Sequence, residues 1–237
     1  MLFTRTLDIP GLLNARDLGG YPTRSGRQTR WRSLLRADDL VQLTPEGVET
    51  LANLGVHTVV DLRWPGEVAI SPHPVPSRLP HVRYYHVSLL TESETQWSEI
   101  SEGCEKEMWK CLVLEKTRPH LRRVLQTIAS APPGPLLFHC VAGKDRTGLI
   151  AALLLALAEV EPEAIAADYA ESSARLREAY LERYKEVEPE WILEAVRCPE
   201  QGVYNMLSYL ERLGGAPGYL REIGLEEEHI ERLKARL

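Results

Sequence analysis

The stretch Phe138-His139-Cys140-Val141-Ala142-Gly143-Lys144-Asp145-Arg146-Thr147-Gly148 concentrates the residue types that can do chemistry. A cysteine closes a short apolar run, an arginine follows six positions later, and a long apolar pattern starts at once. A short polar loop between a strand and a helix can wrap so that its backbone N–H groups, from Val141 to Arg146, point at a common centre. The helix N-terminus adds unpaired N–H groups and the positive end of its dipole. Such a cradle suits a dianionic phosphate. Arg146 can close it with two parallel hydrogen bonds to phosphate oxygens.

The same field acts on Cys140. An isolated thiol has a pKa of about 8.5, and helix N-termini and nearby cations can lower it by several units. The loop therefore predicts a thiolate at Cys140, poised to attack phosphorus. The Thr147 hydroxyl is placed to hydrogen-bond that sulfur, and His139 to orient the nucleophile from the preceding strand. Gly143 and Gly148 allow tight turns and close approach. The pattern is not the nucleotide-binding P-loop, because Gly143-Lys144 is followed by Asp145-Arg146 rather than Ser or Thr. A lone cysteine at a strand end is usually a core residue. Arg146, Thr147 and Gly148 at this spacing set Cys140 apart. Lys144 puts a further positive charge at the mouth, serving either general phosphate attraction or contact with a second phosphate.

The elements around the loop must hold it still. Asn14-Ala15-Arg16-Asp17-Leu18-Gly19-Gly20 ends in a turn signal, and residues 28–35 read as a strand. Thr44-Pro45 reads as a helix start, with Val48, Leu51 and Leu54 on one apolar face and Gly55 as the stop. The β-branched run 56–62 reads as a buried strand. Residues 64–80 hold five prolines and read as a loop. A strand over 81–89, helices over 99–116 and 119–130, a break at 131–135, and a very short strand over 136–138 lead to the cradle. A helix starts at Thr147. From residue 163 the pattern is helical, with breaks at Pro189, Pro199 and Gly214-Gly215. This predicts an α/β fold, a mostly parallel sheet flanked by helices with a helical C-terminal part, in one domain spanning 1–237.

With 237 residues, 44% apolar and 26% charged, the chain is long enough to bury a core without disulfides. A net charge of −6 argues against a general nucleic-acid binder. The longest apolar run, 149–158, is ten residues, whereas a membrane span needs roughly 20. No membrane insertion is expected. Cys104, Cys111, Cys140 and Cys198 form no metal-binding spacing and read as free thiols of a reducing compartment. With no apolar leader at the start, the expected location is cytoplasmic, export without a cleaved signal remaining compatible.

The run His139-Cys140-x5-Arg146-Thr147-Gly148 resembles the signature of cysteine-dependent tyrosine and dual-specificity phosphatases, in its bacterial branch. The Asn14 to Gly20 element, Leu35-Arg36-Ala37-Asp38, Val60-Asp61-Leu62-Arg63, and Asp168-Tyr169 with Ser172 are similar to that branch as well. The resemblance implies a tyrosine-phosphatase-like fold, a cysteinyl-phosphate intermediate, and no metal or cofactor. It also implies an acid that protonates the leaving oxygen, a group that contributes typically 10²–10⁴-fold. Many relatives carry an aspartate for this some way before the cysteine, yet no aspartate lies between Asp61 and Asp145 here. Trp64-Pro65-Gly66 mimics the start of an acid loop without its aspartate. Glu102, Glu105 and Glu107 read as a solvated helix face. Asp145 and Asp61 remain, with Asp145 favoured as donor or donor-orienter. For Asp61 an ion pair with Arg16, Arg36 or Arg63 is as good a reading, and Arg63 could line the pocket or serve that pair. Helices from about residue 161 could form a lid.

The expected reaction is phosphomonoester hydrolysis on a phosphorylated protein, with a phospholipid substrate as the alternative. A phosphate-binding module without turnover would not need the thiolate. A sulfurtransferase fits the Arg146-Thr147-Gly148 ending less well.

Overall fold

Among the residues that the computed structural model describes, 3–72, 74–90 and 109–237, five strands form one sheet. They are β1 (Arg16–Asp17), β2 (Leu34–Ala37), β3 (Thr58–Asp61), β4 (Arg83–His86) and β5 (Leu136–His139). The spatial order is β1-β2-β5-β3-β4. β1 is antiparallel to β2, and every other pairing is parallel. The late strand β5 thus inserts between two early ones. Its Leu136-Leu137-Phe138 run is buried on both faces, which is why it is continuously apolar rather than alternating.

The helices are α1 (Pro45–Asn53), α2 (Pro65–Ile70), α3 (Val75–Arg78), α4 (Trp109–Lys116), α5 (Arg118–Ser130), α6 (Asp145–Leu157), α7 (Pro162–Arg183), α8 (Pro189–Val196), α9 (Gln201–Glu211), α10 (Gly215–Glu222) and α11 (Glu227–Arg236). Successive strand residues point to opposite faces. Leu34, Val60, Leu136 and Phe138 join the larger core, which α5, α6 and α9 to α11 complete. Leu35, Ala37, Val59 and Leu137 join the smaller one, covered by α1 and the N-terminal segment. α6 carries no one-sided stripe, because Leu149 to Leu155 are all buried. A helix apolar all round belongs in the middle of a protein or a membrane. Here it lies in the core, and no helix among the described residues is long and apolar enough to cross a membrane.

Some elements differ from the sequence expectation. The strand foreseen over 28–35 begins only at Leu34. Before it, side chains take the backbone groups that a ladder would use. Thr29 Oγ1 donates to the Leu18 carbonyl and accepts from the Tyr21 amide, and Asp17 accepts from the Arg32 amide. The segment 64–80 is not a loop but holds α2 and α3. Pro65 sits at the first helical position, where proline initiates rather than breaks. The helix after the cradle starts at Asp145, earlier than Thr147, with that acid in its first turn as the helix dipole favours. Of the helix foreseen over 99–116, residues 109–116 form α4. Cys104, Glu102, Glu105 and Glu107 lie outside the described residues.

Leu154 is fully buried in the centre of α6. Replacing it by alanine should lower stability by roughly 2–5 kcal/mol, read as a fall in the denaturant midpoint at unchanged slope.

Candidate active site

The carboxyl ends of β2, β3 and β5 meet at one level, with Ala37 and Asp61 both opposite His139. In open α/β sheets that end is where ligands bind. Cys140 is the first residue beyond β5, and its side chain is 2% exposed. The loop then runs through Val141, Ala142, Gly143 and Lys144 into α6.

What shapes this loop is the direction of its carbonyls. The Val141 oxygen accepts from the Asp39 amide at 2.8 Å. The Ala142 oxygen accepts from Asn14 Nδ2 at 3.0 Å, and the Gly143 oxygen from the Arg36 guanidinium at 2.6 Å. Three successive carbonyls are therefore turned outward. The amides of Val141, Ala142, Gly143 and Lys144 donate to no acceptor among the described residues. Successive N–H groups left on the inner side of such a curve form an anion-binding concavity. Gly143 has a φ of +66°, and a Cβ there would fall 2.5 Å from the Ala37 oxygen, so no larger residue fits the loop against β2.

Under the loop lies a buried charge network. Asp168 of α7 accepts from Arg16 at 2.8 Å, from Arg36 at 2.5 Å and from the Tyr21 hydroxyl at 3.0 Å. Arg16 also reaches Ser172 Oγ and the Asn14 side-chain oxygen. Asn14 relays this contact, because its own NH₂ holds Ala142. Burial alone would raise the Asp168 carboxyl, but the two guanidiniums outweigh it and hold the group well below the usual carboxylate range. Arg36 is lowered, first by burial and then by the like charge of Arg16. Two cations face one carboxylate, which leaves a net positive charge directly behind the cradle. Asp38 completes the support by accepting from the Leu13 and Asn14 amides.

Arg146 lies in the first turn of α6 and is 6% exposed. Its NH1 and NH2 groups donate to the two oxygens of Glu67 at 2.5 and 2.8 Å. Burial would lower this guanidinium, but the hydrogen bonds to Glu67 and the nearby Cys140 outweigh that and raise it. Asp145 is paired with Lys144 at 3.0 Å and accepts from the Tyr169 hydroxyl at 3.3 Å. Its side chain is 34% exposed. The ring of Tyr169 packs against Gly148, where a Cβ would meet it at 2.8 Å. The Thr147 hydroxyl is buried and, among the described residues, makes no hydrogen bond to Cys140 or to any other group, unlike the expectation.

Asp61 and Arg63 sit in a neighbouring, equally buried cluster. The Arg63 amide, Nε and NH2 all bond the Asp61 carboxylate, and the Tyr84 hydroxyl donates to it at 2.8 Å. Arg63 further donates to Asp39 at 2.9 Å and to the Ser71 carbonyl at 3.0 Å. Burial would raise Asp61, but His139 and Arg63 hold it well below the ordinary range. His139 Nε2 is 3.8 Å from Asp61, and its Nδ1 bonds the Cys140 carbonyl. The cradle residues Cys140 to Arg146 thus form one group, and Asp61, Arg63 and His139 a second beneath it. Sequence reasoning overlooked Glu67, Asn14 and Asp39 as site residues. Glu67 had a faint signal, a glutamate at the third position of a proline-started helix, but no Ser or Thr cap precedes it.

The first half of α7 is bolted to β1 and β2 through Asp168 and Ser172. Asp168→Asn should cost about 3–5 kcal/mol at neutral pH, because it leaves buried guanidiniums unpaired. A depressed carboxylate contributes stability above its unfolded pKa, about 3.9, and loses it as pH falls toward the folded value. The acid limb of a stability–pH curve should therefore be shallower in the variant than in the wild type.

Comparison with known proteins places this geometry. Residues 7–237 match the tyrosine phosphatase family. A tyrosine-protein phosphatase of Nostoc commune is 33% identical over 223 residues, covering 86% of this chain and 74% of that protein. The triple specificity protein phosphatase PtpB of Mycobacterium tuberculosis is 29% identical, covering 96% of this chain and 97% of its own. The crystal structure of P. aeruginosa TpbA aligns with a TM-score of 0.33 at 19% identity, over 70% of this chain and 86% of that one. Matched along nearly its whole length, the chain belongs to the tyrosine phosphatase family and is a protein tyrosine phosphatase.

Proposed function

We propose that the chain hydrolyses phosphate monoesters of phosphorylated proteins through a cysteinyl-phosphate intermediate. The observation that carries this is the loop itself, a cysteine at the floor of a ring of inward amides with a buried arginine at its rim. Cys140 Sγ attacks phosphorus in line, and the bond from phosphorus to the ester oxygen breaks. The amides of 141–146 and the Arg146 guanidinium hold the equatorial oxygens. Asp145 gives its proton to the leaving oxygen. Water then attacks phosphorus as Asp145 takes a proton back, and the S–P bond breaks to release phosphate and the thiolate. This chemistry needs no metal and no cofactor.

Asp145 suits the donor role better than Asp61. It stands at the rim, partly exposed, while Asp61 is buried and held by Arg63 and Tyr84. We assign Asp61 and Arg63 to holding the ends of β3 and α2. The mycobacterial relative is a triple specificity phosphatase by name, which supports a range of substrates wider than phosphotyrosine. Lys144, the residue that could meet a second phosphate, is turned into Asp145, which favours a phosphoprotein over a lipid headgroup. Among the described residues Cys140 and Cys198 form no disulfide, which supports a reducing, cytoplasmic setting. The match over 7–237 supports one catalytic domain. The anchoring of Asp168 makes the start of α7 a brace, so any lid begins beyond it.

Hydrolysis of an aryl phosphate should be lost in Cys140→Ser and unchanged by a metal chelator. Activity surviving in the variant would remove Cys140 as nucleophile. Asp145→Asn should lower kcat by roughly 10²–10⁴-fold on phosphotyrosine and far less on an ester with an acidic phenol, whose oxygen leaves without a proton. Asp61→Asn should instead lower the melting temperature.

A further inference from the structure

Tyr169 follows Asp168 on α7 and takes no part in the reaction as derived from Cys140, Arg146 and Asp145. Asp168 and Ser172 fix this turn of α7 to Arg16 and Arg36. Tyr169 therefore projects from backbone that is already held. Its side chain is buried among α6 and α7. The ring fills the space over Gly148, where a Cβ would fall 2.8 Å from Cδ2 and 3.0 Å from Cε2. A larger residue at 148 would displace the ring, so glycine and tyrosine form one fitted contact between the two helices.

The hydroxyl at the end of this ring meets the first turn of α6. It donates to Asp145 Oδ1 at 3.3 Å. The Cys198 thiol is a further hydrogen-bond partner of the same hydroxyl. Cys198 is held in turn, its amide donating to Ser173 Oγ at 2.8 Å and its Sγ to the Val196 carbonyl at 3.5 Å. Burial, and after it the charge of Asp145, push the Tyr169 hydroxyl far above the ordinary phenol range. It thus stays a neutral O–H donor at any pH at which the protein is folded.

Lys144 also holds Asp145, at 3.0 Å and through charge. The two partners differ in what they favour. An ammonium group stabilises the carboxylate and not the carboxylic acid. A neutral hydroxyl can donate to a carboxyl oxygen in either form. Only the second kind of contact keeps a side chain in place while it gives up a proton and takes one back. Asp145 stands at the rim, and a rim aspartate without a fixed partner samples several staggered rotamers. Hydrogen bonds of this kind are often long before substrate binds and tighten afterwards. We propose that Tyr169 is a positioning residue for Asp145, holding its carboxyl in one orientation at the rim of the cradle through both proton transfers. This inference rests on the reading of Asp145 as the proton donor.

The test is a double-mutant cycle on the full chain with Tyr169→Phe, Asp145→Asn and both together, each verified as folded by its melting curve. Tyr169→Phe removes the hydroxyl and keeps the ring against Gly148. The value of kcat/KM is read on two aryl phosphates, one with a weakly acidic and one with a strongly acidic phenol, and tungstate affinity is read by calorimetry. On the weakly acidic ester Tyr169→Phe should lower kcat/KM roughly 5- to 30-fold. On the strongly acidic ester the loss should be less than about twofold, because that oxygen leaves without a proton. Tungstate affinity should stay within about twofold, and in the Asp145→Asn background Tyr169→Phe should change either ester by less than about twofold. Equal losses on both esters, or weaker tungstate binding, would overturn the proposal and make Tyr169 a packing residue of the cradle. An undiminished loss in the Asp145→Asn background would overturn it as well. A loss in Asp145→Asn with none in Tyr169→Phe would remove the role of Tyr169 alone. Full activity of Asp145→Asn on the weakly acidic ester would show the donor itself misassigned, and the role of Tyr169 would fall with it.

Discussion

Asp168 is the point on which the site depends. A single carboxylate, more than a hundred residues from β1 and β2 in the chain, gathers Arg16 and Arg36 under the cradle. Each guanidinium then acts on the loop above it. Arg36 takes the Gly143 carbonyl directly, and Arg16 takes the Ala142 carbonyl through Asn14. Turning these oxygens outward is what turns the amides inward. Anion recognition by the backbone is thus a consequence of side-chain electrostatics one layer below. Burying three charges is unfavourable unless their geometry and hydrogen bonds are nearly complete. The network meets this demand with carbonyl, hydroxyl and amide partners around the ions.

A second buried group, Asp61 with Arg63, has a different role. It joins the end of β3 to both ends of the short helix α2 and to Asp39 after β2. The two groups never share a residue among these bonds, yet both are tied to the cradle. One sets the curvature of the loop and the other locates the carboxylate that meets Arg146. A loop preorganised in this way needs little rearrangement when charge builds up on phosphorus, which is the main source of electrostatic catalysis.

Much of this was legible in the residues. The strand-to-helix loop around Cys140 combines residue types that only an anion site needs together, so it could be read without coordinates. The parallel sheet followed from apolar runs too short to be helices, the β-branched 56–62 and the three residues 136–138. The Asn14 to Gly20 element and Asp168 with Ser172 stood out by resemblance, but their link did not. Nothing in a linear string says that Arg16 and Asp168 touch, because contacts between distant segments leave no periodicity. Glu67 stayed hidden for a related reason. Five prolines between 64 and 80 read as loop, whereas prolines at helix starts hide α2, and with it the face that Glu67 presents. The strand over 28–35 was misread because Thr29 and Asp17 side chains satisfy the backbone locally, and periodicity does not register such bonds.

The order of these contacts along the chain bears on how the enzyme comes into being. The bonds that shape the loop span 107, 128, 132 and 152 residues. Contacts of such separation close late, because the intervening chain must first be brought together. On the ribosome, β5 and Cys140 emerge before α7 exists, so the nascent thiol is displayed without the carboxylate that organises its surroundings. A chain released before residue 168 carries the full signature sequence and lacks the anchor of its anion cradle. The distinctive motif and the competent loop are thus separate achievements in time, and maturation of the second waits on the helical C-terminal part.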